Sequence, residues 1–351
     1  MALAPRITST AFRNRLYSLL SEQPAIKALF ELIGEETYLE WGHTVGITVD
    51  RELRGLAPPV PSSSLRHIAG TPWEELFLVS GLRDASAIIE SFEECNTTAG
   101  PVAALDFGCG AGRILRYTKA LPGYSVAGCD VNPDSVKWCQ DNFIEVNVAI
   151  NDVRPPAPFA DESFDLVYSK SIFTHLPGDL CFLWLAELTR ITKPSGCIIL
   201  TVNGYAAIGL LAADPVLCEQ FNLKLEQLRE VEQSLEQSGL FFRNYPTYVL
   251  EGAKAGEQYG TTFLDEKRLR EWGRQSGLLL ESIRPGRASG LQDIVVLKRG
   301  GKPGAGFDED SYLARYPDVA AAVRAGHFES GRQHFNLIGR SEGRIGSPRR
   351  V

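Results

Sequence analysis

A chain of 351 residues, 44% hydrophobic and 23% charged, has the make-up of an ordinary globular protein and the length for one large domain with additions, or for two. Its formal net charge of −7 argues against a general electrostatic grip on nucleic acid or on an anionic membrane. Its apolar stretches, such as Tyr205–Ala213, are too short for an integral membrane segment, and residues 1–20 lack the apolar core of a secretory signal, so a cytoplasmic location is expected.

Residues 1–55 read as mainly helical. Positions 11–20 have amphipathic spacing, and Ser21-Glu22-Gln23-Pro24 reads as a helix start with proline in the first turn. Leu56-Ala-Pro-Pro-Val-Pro-Ser-Ser-Ser64 is an extended, proline-stiffened connector. A helix follows from about Thr71, with Gly81 as a break, and residues 84–95 lead into the central region. From Val102 the pattern changes to short apolar runs at Val102–Phe107, Tyr124–Asp130, 145–150, Phe164–Ser169 and 197–202. Helical segments, including 135–143 and 180–191, separate several of them. Such alternation predicts a doubly wound α/β domain whose mostly parallel sheet is covered on both faces. Strands at 278–284 and Gln292–Arg299 bring the sheet to seven. The short segment 285–291 between them cannot make a parallel crossover, so this pair is predicted antiparallel.

The expected organisation is therefore a helical extension and lead-in over 1–100, the α/β domain over 101–299 with a substrate-side insertion at 204–277, a glycine-rich linker at 300–306, and a small helical module over 307–351. Seven scattered cysteines without a CxxC pair, and five dispersed histidines, predict reduced buried thiols and no metal site.

The chemistry-bearing residues stand at strand ends. Asp106-Phe-Gly-Cys-Gly-Ala-Gly112 closes the first strand. Its glycines permit a tight turn and close ligand approach, and the following helix would offer free N–H groups. Asp130 ends the second strand, where a carboxylate accepts hydrogen bonds from ribose hydroxyls. The turn reads G-x-G-x-G rather than the dinucleotide G-x-G-x-x-G, with Arg113 where the last glycine would stand. An acid in the first strand also suits a ligand bearing ammonium and sulfonium rather than pyrophosphate. Both features point to S-adenosylmethionine.

Residues 101–299 resemble the class I S-adenosylmethionine-dependent methyltransferases, which have a Rossmann-like fold. The resemblance rests on VAALDFGCGAGRILR, VAGCDVNPDSVKWC, NDVRPPAPFADESFDLVYSKSIFTHL and LAELTRITKPSGCIILTVNG, in that order. It implies that Asp106 and the turn Gly108-Cys109-Gly110-Ala-Gly112 hold the methionine end of the cofactor and that Asp130 holds the ribose. Asn151-Asp152-Val153 would form the adenine corner, with Asp152 accepting from the exocyclic amine, and Ser169 would lie near the transferring methyl.

His175, just after the fourth strand, is the candidate catalytic base, since a neutral imidazole there could take a hydroxyl proton; capping or buttressing the next helix is its structural alternative. Asn203, Tyr205 and Tyr259 are candidate acceptor-pocket residues. Trp41 and Trp73 could face a sugar ring, though core packing is the commoner role. His43 and His67 have no spacing partner, and Arg113 is given no role. The run from Val60 to Leu78 resembles a lead-in of bacterial methyltransferases associated with sugars and surface glycans. The tail from Tyr312 to Arg344 resembles a short helical module of bacterial polysaccharide and cell-surface proteins, a candidate protein-docking element; a small helical plug that stabilises the core is the alternative. The expected function is O-methylation of a hydroxyl on a sugar, glycan or glycan precursor. The rivals are N- or C-methylation of another small molecule, and a non-catalytic cofactor-binding subunit.

Overall fold

The computed structural model describes residues 59–68, 74–96, 100–246, 259–300 and 309–344, apart from single residues at 120, 122, 144, 289, 329, 340, 341 and 343. The helices expected over 1–55, with Trp41 and His43, lie outside the described residues, as does Trp73.

Helices α1 (Ser63–Ile68) and α2 (Glu74–Cys95) precede the sheet. The sheet region then runs β1 (Val102–Phe107), α3 (Leu115–Thr118), β2 (Tyr124–Asp130), α4 (Pro133–Asn142), β3 (Asn147–Ile150), β4 (Phe164–Ser169), α5 (Gly178–Ile191) and β5 (Thr192–Val202). An insertion follows, built from α6 (Tyr205–Ala213), α7 (Pro215–Gln220), α8 (Leu228–Ser238), β6 (Leu240–Asn244) and β7 (Gly260–Leu264). Helix α9 (Glu266–Ser276) returns the chain to β8 (Leu278–Ala288) and β9 (Gln292–Arg299).

The seven-stranded sheet has the order β3-β2-β1-β4-β5-β9-β8. The first five strands are mutually parallel, and β9 is antiparallel to both β5 and β8. This is the doubly wound, mostly parallel sheet predicted from the apolar runs. The order reverses between β1 and β4, so their carboxyl ends open a crevice of the kind in which such folds bind ligands.

One core packs α5 and α9 against the sheet through Trp184, Leu185, Leu188, Trp272, Ile198 and Leu200. The other packs α2, α3 and α4 through Ile88, Ile89, Phe92, Leu115, Val136 and Tyr168. Burial on both faces is why β1 and β4 read as nearly unbroken apolar runs. Truncating a fully buried residue such as Ile198 to alanine would cost about 2–5 kcal/mol.

Gly81 does not break α2. A Cβ there would lie 2.3 Å from the Arg113 carbonyl oxygen, so the glycine lets the helix lie against the turn after β1. Residues 174–176 pair with β7, where Thr262 N–H donates to Thr174 O and Gly260 N–H to His175 O. A parallel bridge joins Asn203 to Phe263. These contacts hang the insertion over the carboxyl ends of β4 and β5.

Beyond residue 308, α10 (Glu309–Arg315), α11 (Pro317–Arg324), α12 (Gly331–His334) and the turn Phe335–Gly339 form a small unit. The Glu309 carboxylate accepts from the N–H groups of Gly331 and Arg332. Buried Tyr312 shares a hydrogen bond with His334 Nδ1. The unit rests on α5 through Phe335–Gly339, with Arg332 3.2 Å from Asp161. Among the described residues, no helix is long and apolar enough to cross a membrane.

Candidate functional site

A cleft of about 1100 Å³ opens at the carboxyl ends of β1, β2, β4 and β5. Asp106, Gly108, Cys109, Gly110, Asp130, Asn151, Val153, His175, Asn203 and Tyr259 all line it. Gly112, Asp152, Ser169 and Tyr205 do not.

The turn after β1 spends its amides internally. Gly108 and Cys109 N–H both donate to Cys129 O, at 2.8 and 3.0 Å. Gly110 N–H donates to Asp130 Oδ2 at 2.7 Å. Helix α3 begins only at Leu115 and has no side-chain cap. Gly108, Cys109 and Gly110 N–H are thus engaged by β2, and the uncapped start of α3 has no side-chain acceptor for its first N–H groups. Gly110, at φ 51°, has open space where a Cβ would be. Gly112, at φ 76°, packs against Phe143 and Cys139 of the α4 region, so its lack of a side chain serves helix packing.

Asp106 is 2% exposed, and its Oδ2 has no hydrogen-bond partner. Burial pushes its pKa up to about 8, against the pull of Arg113 and with a further push from Asp130. At neutral pH the free protein therefore holds it mostly protonated, whereas a cationic ligand beside it favours the carboxylate. Cofactor binding is thus expected to release a proton, with affinity rising up to about tenfold per pH unit between about pH 6 and about pH 8. Calorimetry in buffers of different ionisation enthalpy measures the release. Asp106→Asn should remove both the release and the pH slope; a slope that persists in this variant would place the proton elsewhere.

Asp130 Oδ1 accepts from Asn132 N–H at 2.8 Å, and Oδ2 carries the Gly110 bond. Burial raises its pKa, while these N–H bonds pull it down. Asn132 in turn caps α4 by accepting from Asp134 and Ser135 N–H. At the β3 corner, Asn151 is buried and its Oδ1 lacks a partner, whereas the Asp152 side chain is exposed. Asn151 thus presents the polar atom on the cleft wall. Val153 O accepts from Trp184 Nε1 at 2.9 Å, which fixes an indole on the same wall. Ser169 lies behind the wall, with a buried, unpartnered Oγ.

His175 stacks on Tyr259, with ring centroids 4.8 Å apart. Its Nδ1 lies 2.9 Å from Gly260 O and 3.3 Å from Tyr245 Oη. A carbonyl can only accept, so Nδ1 carries the proton and the neutral ring has its lone pair on Nε2. Burial lowers the pKa to about 4, the Gly260 bond opposing and Lys170 adding to the fall. The ring is therefore in its basic form at neutral pH.

Asn203 donates through Nδ2 to Thr262 O, and its Oδ1 has no partner. Tyr205, the first residue of α6 after its N-cap Gly204, is 51% exposed and does not line the cleft. The sequence reading missed Lys170, Thr174, Tyr245 and Gln292, all of which line the cleft. Thr174 and Lys170 flank named motif residues and could have been found from strand-end position. Tyr245 and Gln292 had no signal, since only the folded sheet brings them there.

Residues 105–200 match the family model described as a methyltransferase domain. The match runs from β1 to β5 and contains the strand-end acids and the glycine turn. A cyclopropane-fatty-acyl-phospholipid synthase of Escherichia coli (strain K12) is 26% identical over 175 residues, 48% of this chain and 42% of that protein. A tRNA N(3)-cytidine methyltransferase of Gallus gallus is 29% identical over 126 residues, 33% of this chain and 34% of that protein. The chain thus spans less than half the length of either relative. Among solved structures, an S-adenosylmethionine-dependent methyltransferase from Methanosarcina mazei aligns with TM-score 0.41 and 18% identity, covering 61% of this chain and 98% of that one.

Residues 105–200 thus match a methyltransferase domain, and the cleft residues fit S-adenosylmethionine as the cofactor. Buried Asp106 has an unsatisfied oxygen for a cationic group, Gly110 leaves room at the turn, and Asn151 has a free acceptor at the far corner.

Proposed function

We propose that this chain methylates a hydroxyl of a sugar, glycan or glycan precursor, using S-adenosylmethionine, with His175 as the base. The observation that carries this reading is the fixed tautomer of His175, whose basic Nε2 is left over by the Nδ1 bond to Gly260 O. When bound, the cofactor supplies a methyl group that is already electrophilic. What remains for the protein is alignment, exclusion of water and removal of the hydroxyl proton. Asp106, with its unpartnered oxygen, would hold the cationic end, Asp130 the ribose hydroxyls, and Asn151 with Val153 and Trp184 the adenine.

The acceptor half of the cleft mixes rings with polar groups: Tyr245, Tyr259 and Phe221 beside Thr174, Asn203 and Asn222. Apolar ring faces with a few convergent hydrogen-bonding groups suit a sugar. Among the described residues, the C-terminal helices contribute nothing to the cleft wall; their proposed role is accessory protein docking.

The test is incubation with methyl-labelled S-adenosylmethionine and a panel of monosaccharides and oligosaccharides, read by mass spectrometry. A labelled methyl ether is the expected product. Transfer confined to amine or carbon acceptors would overturn the hydroxyl assignment.

A further inference from the structure

Lys170 follows β4 and lines the cleft with its side chain only 8% exposed. Its Nζ donates to Ser171 Oγ at 3.0 Å and to Gln292 Oε1 at 2.8 Å. Both acceptors are neutral. An ammonium can only donate, so the atom of Gln292 that faces it must be the amide oxygen, and the other end of that amide is a donor. Ser171 Oγ also bonds Gln292 Oε1, at 3.0 Å. Ser171 itself sits in the left-handed region, at φ 60°, with its N–H donating to Thr201 Oγ1. A non-glycine residue held there is strained, and the surroundings must over-determine it.

The nearest carboxylate is Asp84, with Oδ2 3.9 Å from Nζ and 2.8 Å from an Arg113 guanidinium nitrogen. Arg113 also lines the cleft. Two cations thus share one buried carboxylate, and the Lys170 ammonium is left with neutral oxygens at hydrogen-bond distance. A buried ammonium that shares its one nearby carboxylate with a second cation is incompletely compensated, which is costly, and burial does lower the Lys170 pKa, to about 8, with Asp84 opposing. An incoming anion would offset that cost.

We propose that Lys170, Ser171 and Gln292 form an anion-binding corner of the cleft, which takes a carboxylate or phosphate group of a bound ligand. The proposal rests on the reading of this cleft as the methyltransferase site. Two ligands could bring the anion: the cofactor, through its methionyl carboxylate, or an acidic acceptor.

The test uses the full chain and calorimetry with three probes. S-adenosylhomocysteine carries the carboxylate, 5′-methylthioadenosine lacks it, and inorganic phosphate is added to the S-adenosylhomocysteine complex. If the anion is the cofactor's, Lys170→Met weakens S-adenosylhomocysteine by about tenfold to a hundredfold and spares 5′-methylthioadenosine. If the anion is the acceptor's, both adenosine probes bind as before and the phosphate site of the wild-type complex is lost. Gln292→Glu keeps the lysine but sets a carboxylate against it, so it should reproduce the same loss in a chain that retains the buried ammonium. Equal binding of all probes by wild type and both variants would overturn the proposal. So would an equal loss of S-adenosylhomocysteine and 5′-methylthioadenosine, because that loss ignores the anion. If wild type binds neither adenosine probe yet binds phosphate through Lys170, the corner stands and the cofactor reading fails.

Discussion

His175→Ala is expected to slow methyl transfer by roughly 10²–10⁴-fold, the usual span for a general acid or base, while cofactor affinity stays nearly intact. The split follows from placement. His175 stands over the β4 and β5 ends with Tyr245 and Tyr259, while the turn and acids assigned to the cofactor stand over β1 and β2. Its pKa of about 4 also sets the pH dependence. The neutral, basic form dominates above about pH 4, so at saturating cofactor the acid limb of kcat/KM for the acceptor should lie near that value rather than near the ~6.5 of a solvent-exposed imidazole. The depressed basicity weakens the pull on a hydroxyl proton, and the Gly260 bond compensates by fixing Nε2 as the accepting atom. The loss should shrink at high pH, where hydroxide substitutes for the ring. Single-turnover rates at saturating cofactor and acceptor decide it. A rate within a few-fold of wild type would leave His175 a structural role, which its Gly260 bonds place against β7 rather than the next helix.

How far the site could be read from sequence follows from how each part is built. Asp106, the glycine turn and Asp130 sit at the ends of strands largely buried on both faces, and such strands are visible as apolar runs; the Asn151 corner follows the edge strand β3, only part of which is buried. The register between them comes from the parallel ladder, which sets Phe107 beside Cys129 and Asp130 beside Ile150. Strand ends were less visible. β5 reaches back to Thr192 because Thr192 pairs with Phe164 across an irregularity, and the polar Lys193-Pro-Ser-Gly196 hides that pairing. Gly81 read as a break because glycine is poor in helices; the reason for it, the Arg113 carbonyl, lies on another element. The acceptor half was hidden more deeply. Lys170 and Gln292 are 122 positions apart and meet only because β9 inserts beside β5. Ser171 is left-handed without being glycine, and nothing in its neighbours announces that.

Asp130→Ala is expected to lower S-adenosylmethionine affinity by roughly tenfold to over a hundredfold, the worth of one or two charge-assisted hydrogen bonds. Its two carboxylate oxygens already accept from Gly110 and Asn132 N–H, yet each has a further lone pair for a ribose hydroxyl. The backbone bonds hold the carboxylate in one orientation at the switch point of the sheet, so little ordering is left to be done on binding. Alanine removes the acceptors and also releases Gly110, loosening the turn against β2. Affinity alone cannot separate these two effects, but a hydroxyl deletion in the ligand can. Wild type should bind 5′-methylthioadenosine more tightly than its 2′-deoxy counterpart, and the Asp130→Ala variant should bind the two alike. If the variant keeps the wild-type preference while losing overall affinity, Asp130 acts through the turn and another group reads the ribose. Thermal unfolding of the unliganded variant supplies the control: the fold must persist, because Asp130 ends a strand whose core residues, from Val126 to Cys129, are untouched.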